Sequence, residues 1–398
     1  MSFLDPSLQR TANRRPPPDP PLATVLLVGT FAGGGIHHYI DEQRRHLAGR
    51  VAFATFDMAA PPNGAGPRWF VAGVLRALWS AIRFPFQRPP DLVHVHTSHR
   101  YSFYRAAFYV LYAAHVWRRP VVLHVHGSSF DAFLETRSPA LRALQDAVFD
   151  ASDAIVVLSP YWREVLGRRV DPAKLCVIPN AVDVDAFDPS FGAETPHVVY
   201  LSNLIERKGV LDLVAAVDAL VEDGVGPFRV SIAGDGPLRG EVAALAARHD
   251  RVEALGFVDE AAKRRLLDAG TIYVLPTYAE GLPIAMLEAM AGGNAVVATT
   301  VGSIPEVVGP ENGRLVEPGD PDALADALAA LVRDPETTAA MGRRNRQAVL
   351  DRYSWRSVSE ALVEVYAEQL SGDGGPPDDH QPPPRGDGKP ARNKARSG

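Results

Sequence analysis

Short apolar runs recur along this chain at the spacing of one helix and its loops. "TVLLVGT" (24–30), "LVHVHT" (92–97), "VVLHVHG" (121–127), "AIVVLS" (154–159) and "LCVIPN" (175–180) form one series. "HVVYLSN" (197–203), "FRVSIAG" (228–234), "VEALGFV" (252–258), "TIYVLPT" (271–277) and "AVVATT" (295–300) form a second. Runs this short and this apolar predict strands buried on both faces, as in parallel sheets. Amphipathic stretches of helical length separate them, and strand alternating with helix predicts α/β architecture with right-handed crossovers. The turn-rich stretch "NAVDVDAFDPSFGAETP" (180–196) divides the two series into two doubly wound, Rossmann-like parallel-sheet units. We expect these units at 22–190 and 191–352, facing a central cleft, with a helical segment at about 353–370 returning to the first. Residues 1–21 and 371–398 are low-complexity tails that cannot bury a core and are expected to be disordered.

The bulk composition changes this picture little. The 398 residues suffice for two cores, and 46% hydrophobic with 22% charged residues is ordinary for a globular protein. The single cysteine, Cys176, excludes a disulfide framework within one chain. No run reaches the roughly 18 apolar residues of a membrane span, and the first residues lack a signal-peptide core. The expectation is a cytoplasmic protein without a nucleic-acid partner.

Charge adds more. The net charge of −6 is uneven: residues 64–120 hold eight arginines against one acid, Asp91, a net of +7. The same segment holds twelve aromatic residues, among them Trp69, Phe70, Trp79, Phe86 and Trp117. Arginine mixed with aromatics suits an anionic membrane surface or an anionic, partly apolar ligand. Arginines snorkelling at the rim of a packed helical layer would give the same composition.

Candidate chemistry lies in the loops after the strands, where ligands bind in such sheets. After 271–277, "YAEG" turns, Pro283 fits the first turn of a helix, and Gly292 and Gly293 stop it. Glu280 falls in the loop and Glu288 inside an otherwise apolar helix. A carboxylate there needs hydrogen-bond donors, which sugar hydroxyls or a buried ion pair would both supply. The N-terminus of this helix suits a phosphate. Arg207 and Lys208 precede Gly209 and the next helix, where a lysine can reach a diphosphate as a point charge. At the front, Gly33, Gly34 and Gly35 let backbone approach a ligand closely. This is not the Gly-x-Gly-x-x-Gly pattern, and no P-loop is present, which disfavours nicotinamide and Walker chemistry. "HVHTSH" (94–99) and "HVHG" (124–127) put two histidines each on one face of a strand. Four such residues suggest zinc only if they converge, which spacing alone does not give. His126, at a strand end beside Gly127, is the best placed for the cleft; His94 and His124 lie deeper, as core residues.

These residues together resemble the retaining GT-B glycosyltransferases of the family 4 group. The resemblance rests on Glu280–Glu288, "RKG" (207–209), "GDGP" (234–237), "GSIPEVV" (302–308), "VIPNAVDVDAF" (177–187), the glycine loop 33–35 and "HVHG", and covers roughly residues 22–370. It implies transfer of a sugar from a nucleoside-diphosphate donor to a glycan or lipid-linked acceptor, without metal or other cofactor. Glu280 would contact the transferred sugar, Glu288 the ribose hydroxyls, and His126 would lie beside the sugar. Lys208 and the helix start at Gly281, Leu282 and Pro283 would hold the diphosphate, and Gly34 and Gly35 would approach the donor. The family often has Gly-Arg-Leu where this chain has Ser202, Asn203 and Leu204. With Asn203 at the donor, the diphosphate falls to Arg207, or to Lys208 and the helix start. A sugar-nucleotide-binding protein without turnover, or another GT-B enzyme such as an epimerase or phosphorylase, are the alternatives.

Overall fold

A computed structural model describes residues 21–31, 34–59, 67–191, 193 and 195–372. Gly33, residues 64–66 and most of both tails lie outside this set.

The first sheet holds β1 (Thr24–Gly29), β2 (Ala52–Asp57), β3 (Leu92–Thr97), β4 (Val121–Val125), β5 (Ala154–Val157) and β6 (Leu175–Val177), ordered β2-β1-β3-β4-β5-β6. The second holds β7 (His197–Leu201), β8 (Arg229–Ala233), β9 (Val252–Gly256), β10 (Ile272–Leu275), β11 (Ala295–Thr299) and β12 (Gly313–Val316), ordered β12-β11-β10-β7-β8-β9. Every pairing within the two sheets is parallel. Helices cover both faces, so the central strands are buried along their length, as their unbroken apolar runs require.

Strand order reverses between β1 and β3 in the first sheet and between β7 and β10 in the second. At such a point neighbouring helices leave on opposite faces and a crevice opens at the carboxyl ends. Four loops therefore frame the cleft. They are the glycine loop after β1, the loop after β3, "SNLIERKG" after β7 and "PTYAEGLP" after β10.

The units are closely joined. Ser303 Oγ donates to Ser159 Oγ (2.8 Å), the Tyr161 amide to Glu306 Oε1 (2.8 Å), and the Trp162 indole to the Gly281 carbonyl (3.4 Å). The helix Trp355–Ser371 follows a short bridge between Val182 and Ser354. Its Trp355, Val358, Leu362, Val365 and Tyr366 complete a core with Val25, Leu27, Tyr39, Ile40 and Leu92 of the first unit.

Candidate functional site

The loop after β10 is held in place by glycines. Gly209 ends the short 3-10 turn Glu206–Lys208 at φ +69°, and a Cβ there would overlap the Pro276 carbonyl oxygen. Only glycine allows that approach. It lets the Tyr278 amide (2.9 Å) and the Thr277 hydroxyl (3.1 Å) donate to the Arg207 carbonyl. Gly302 repeats the device at φ +55°, where a Cβ would overlap the Glu280 carbonyl oxygen. The two loops thus close on each other with Lys208 against Glu280.

Lys208 Nζ donates to Glu280 Oε1, and both side chains are largely buried. Arg207 reaches across the cleft: it donates to the Ala279 carbonyl at 2.7 Å and lies 3.4 Å from Ser128 Oγ of the first unit. Asn203 is exposed. The helix after the loop runs Ile284–Ala291; Pro283 stands before it with extended ψ, and its carbonyl accepts from Leu287 N at 3.2 Å. Pro283 is therefore the cap and not, as the sequence suggested, in the first turn. The buried Leu282 presents its carbonyl to Asn180 Nδ2 at 2.6 Å. Gly281 lies against the first unit, where a Cβ would be 3.2 Å from the His126 carbonyl oxygen.

Glu288 is 6% exposed, one turn deeper in this helix. Its Oε1 accepts from Lys263 Nζ at 2.6 Å and lies 3.8 Å from His38 Nε2 of the first unit. Burial raises its carboxyl above the ordinary value; Lys263 and His38 oppose that rise. The acid in the apolar helix is thus met by a buried ion pair. Lys263 stands on the helix Glu260–Ala269, whose start is capped by Asp259 accepting from Ala262 N at 2.7 Å. Opposite, the helix Gly35–His46 begins at Gly34, whose φ of +87° suits glycine. A Cβ at Gly35 would lie 4.0 Å from Ile284. Two helix starts therefore face one crevice, each with free backbone N–H groups.

His126 is half-buried at the end of β4. Its Nε2 lies 3.0 Å from His96 Nδ1, and burial pushes its pKa down to about 3, opposed by Asn180. It is therefore a neutral ring whose Nε2 is already engaged. His94, His96 and His124 lie beneath it, wholly buried, and a ring nitrogen from each lies within 4.8 Å of the others. The spacing of the motifs did not reveal this convergence. Beside the site, a cavity of about 670 Å³ is lined by Ser128, Asp131, Tyr161, Tyr278, Glu280 and Glu306.

The structure brings together Glu280, Lys208, Arg207, Gly281, Leu282, Pro283, Glu288, Gly35 and His126, and leaves Asn203 at the rim. Lys263, His38, His96 and Asn180 belong beside them. Asn180 lies inside the stretch "VIPNAVDVDAF", and His38 inside "GGGIHHY"; Lys263 sits in "EAAKRRLL", which reads as an ordinary solvated helix.

Residues 33–186 match the profile described as Glycosyltransferase Family 4, and 195–334 that of Glycosyl transferases group 1. The chain is 29% identical over 265 residues to an MMP alpha-(1->4)-mannosyltransferase of Mycolicibacterium hassiacum, covering 65% of this chain and 61% of that one. It is 33% identical over 236 residues to a phosphatidylinositol N-acetylglucosaminyltransferase of Arabidopsis thaliana, covering 58% and 52% respectively. It thus spans less than two thirds of either relative's length. The structure of Anabaena Alr3699/HepE in complex with UDP-glucose superposes with a TM-score of 0.69 at 18% identity, covering 87% of this chain and all of that one. This fold is the GT-B arrangement of two Rossmann-like domains.

Proposed function

Since the chain belongs to the group 1, family 4 glycosyltransferases, with one family profile on each of its two units, we propose that it transfers a sugar from a nucleoside-diphosphate donor to a hydroxyl acceptor, with retention of configuration. The observation that carries this reading is the meeting of Lys208 and Glu280 at the start of the helix Ile284–Ala291, at the switch point of the second sheet. A UDP-sugar is the donor class to test first, because the HepE structure holds UDP-glucose.

In this reading the diphosphate sits at the helix start, near Lys208 and Arg207. Transfer breaks the bond between the anomeric carbon and the leaving oxygen, and negative charge gathers on the departing diphosphate. Fixed cations and free N–H groups stabilise that charge without rearranging during the step. Glu280 accepts hydrogen bonds from hydroxyls of the sugar. Glu288 accepts ribose hydroxyls from within its pairing with Lys263. The acceptor oxygen bonds to the same face, and its proton leaves with the diphosphate. No divalent ion is needed for this charge balance, so activity survives EDTA; loss restored by Mg²⁺ or Mn²⁺ would contradict it.

The acceptor is proposed to be lipid-linked. The helix Pro67–Arg83 turns its small residues Gly73, Ala77 and Ser80 inward. It leaves Phe70 (68% exposed), Leu75 (60%), Trp79 (63%) and Ile82 (58%) outside, with Phe86 beyond it at 83%. An amphipathic helix on a water-facing protein is normally the other way round. Arg76 and Arg83 lie exposed beside this apolar stripe. Each arginine near an anionic surface contributes about 1 kcal/mol. No helix among the described residues is long and apolar enough to cross a membrane, so this one would lie upon it. The Arabidopsis relative is itself named for phosphatidylinositol.

The test is a panel of nucleotide sugars offered to purified protein, read by thermal shift and by release of nucleoside diphosphate with and without acceptor. Glu288→Ala weakens nucleotide binding by about 1.5–3 kcal/mol, the range for hydrogen bonds to a charged group. Glu280→Ala lowers turnover and leaves nucleoside-diphosphate binding nearly intact. Equal loss of binding in both variants contradicts the division of roles. Donor binding without turnover on any acceptor would favour the non-catalytic alternative.

A further inference from the structure

The first sheet buries a group of polar atoms that the donor site does not use. His94 and His96 on β3 and His124 on β4 share one face of the sheet, with His96 and His124 paired in register. All three are 0% exposed. His94 Nε2, His96 Nε2 and both nitrogens of His124 have no hydrogen-bond partner, nor has the buried hydroxyl of Tyr39, whose ring packs edge-on against His124 at 5.2 Å. Buried polar atoms are costly when unpaired, and native cores hold few of them. Three buried imidazoles, each able to turn one lone pair to a shared ligand, mark a site for something that binds lone pairs.

We infer that His94, His96 and His124 form an imidazole site for a late first-row transition-metal ion of the zinc class, inside the first unit and apart from the donor site. Imidazole nitrogen is the ligand type such ions favour. The outer partners fit for two of the three, His124 having none. Ligating histidines usually have their second nitrogen engaged by a neighbouring group. Here His96 Nδ1 meets His126 Nε2 at 3.0 Å, and His94 Nδ1 meets Tyr366 Oη at 2.6 Å. Both leave Nε2 free. For His94 to donate to that hydroxyl, the Tyr366 O–H must in turn donate to Gln43, which needs the Gln43 amide turned so that its unpaired Oε1 faces the tyrosine and accepts.

Three nitrogens lie within 4.8 Å of one another, and the rings stand near-parallel, His94 and His124 at 5°. Nitrogens 2.0–2.1 Å from a tetrahedral ion stand about 3.4 Å apart. Ligation therefore draws the rings together, with His124, whose two nitrogens have no partner, turning most about χ2 while His94 and His96 keep their Nδ1 contacts. A water molecule completes four-coordination and, as hydroxide, offsets part of the ion's charge, since no carboxylate or thiolate belongs to the group. The other two candidate groups among the described residues are already occupied: Lys263 joins Glu260 to Glu288, and Arg45 pairs with both Glu42 and Asp183.

The test uses full-length protein without a histidine tag. Metal per chain is measured by mass spectrometry after purification, and chelator-treated protein is titrated with Zn²⁺, and with Co²⁺ for its visible absorption. We expect one tightly held ion per chain, at least a tenfold loss of it in His124→Gln, and none in His46→Asn. X-ray absorption of the wild-type zinc protein should show three imidazole nitrogens at about 2.0 Å; this measurement stands even if His124→Gln does not fold. Less than a tenth of an ion per chain at tens of micromolar Zn²⁺ overturns the site. So does metal that stays in His124→Gln and leaves in His46→Asn, or an absorption shell with fewer than three imidazoles.

Discussion

Glu288 and Lys263 show what a single residue can and cannot announce. Their pair is buried and close, with Glu260 as a second partner for the lysine. Removing one member strands a charge in an apolar setting, which costs about 3–5 kcal/mol, whereas replacing both by uncharged residues is often nearly neutral. Lys263→Met should therefore destabilise the protein by that amount, and Glu288→Gln combined with it should restore most of the loss, as read from urea unfolding. Simple additivity of the two single changes would show that the pair is not coupled. The acid was legible because nothing around it in sequence explained it. Its partner was not, since a lysine three residues after a glutamate on a helix is usually a solvated pair. Only the packing of two helices shows that Lys263 turns inward. His96 was hidden in the same way: period-two spacing puts it on the face of His94, but ring-to-ring contact with His126 depends on the adjacent strand.

At the scale of elements, the central strands could be read because burial on both faces makes them uniformly apolar. The two that escaped, β2 and β12, are edge strands. β2, "AFATFD", buries only Phe56, and β12, "GRLV", buries only its ends. Such short, half-exposed strands carry no distinctive period. The switch points could not be read either, for strand order is a property of the sheet. Gly209 is where element geometry bears on the site. Gly209→Ala forces either a left-handed alanine or a shift of the loop against Pro276. Donor binding should fall at least tenfold in calorimetry, while the far-ultraviolet spectrum stays native. The helix Pro67–Arg83 makes the second prediction. Co-sedimentation with vesicles should require anionic lipid, weaken with salt and drop sharply in Arg76→Glu with Arg83→Glu. Absence of binding at any salt, with efficient transfer to a soluble sugar, removes the membrane reading.

For the whole molecule, the buried histidines set an acid limit. Burial pushes the pKa of His94 down to about 3, and those of His96 and His124 well below the ordinary value, with neighbouring histidines adding to the effect. Unfolded, these rings titrate near pH 6.5. Below that pH the unfolded chain binds protons that the folded chain refuses, so stability rises with pH and falls as pH drops from about 6.5 towards 3. The limiting slope is about 1.4 kcal/mol per pH unit for each histidine. The urea midpoint of chelator-treated protein should fall steadily between pH 7.5 and 5, and less steeply in His96→Gln. A midpoint flat over that range would mean that the rings are hydrated in the folded state.

The return of the helix Trp355–Ser371 to the first sheet has a consequence for biosynthesis. A ribosome delivers the first unit's strands and the helix Gly35–His46 early, but the rest of the layer over Val25, Leu27 and Leu92 emerges after the whole second unit. Until then that side of the nascent sheet is only partly covered. The amino-terminal half must wait, with an apolar surface open to chaperones or to other nascent chains, while the carboxyl-terminal half can complete its own sheet. Folding is thus ordered against the direction of translation, and a chain stalled before residue 355 is a sticky one however well its earlier strands are made.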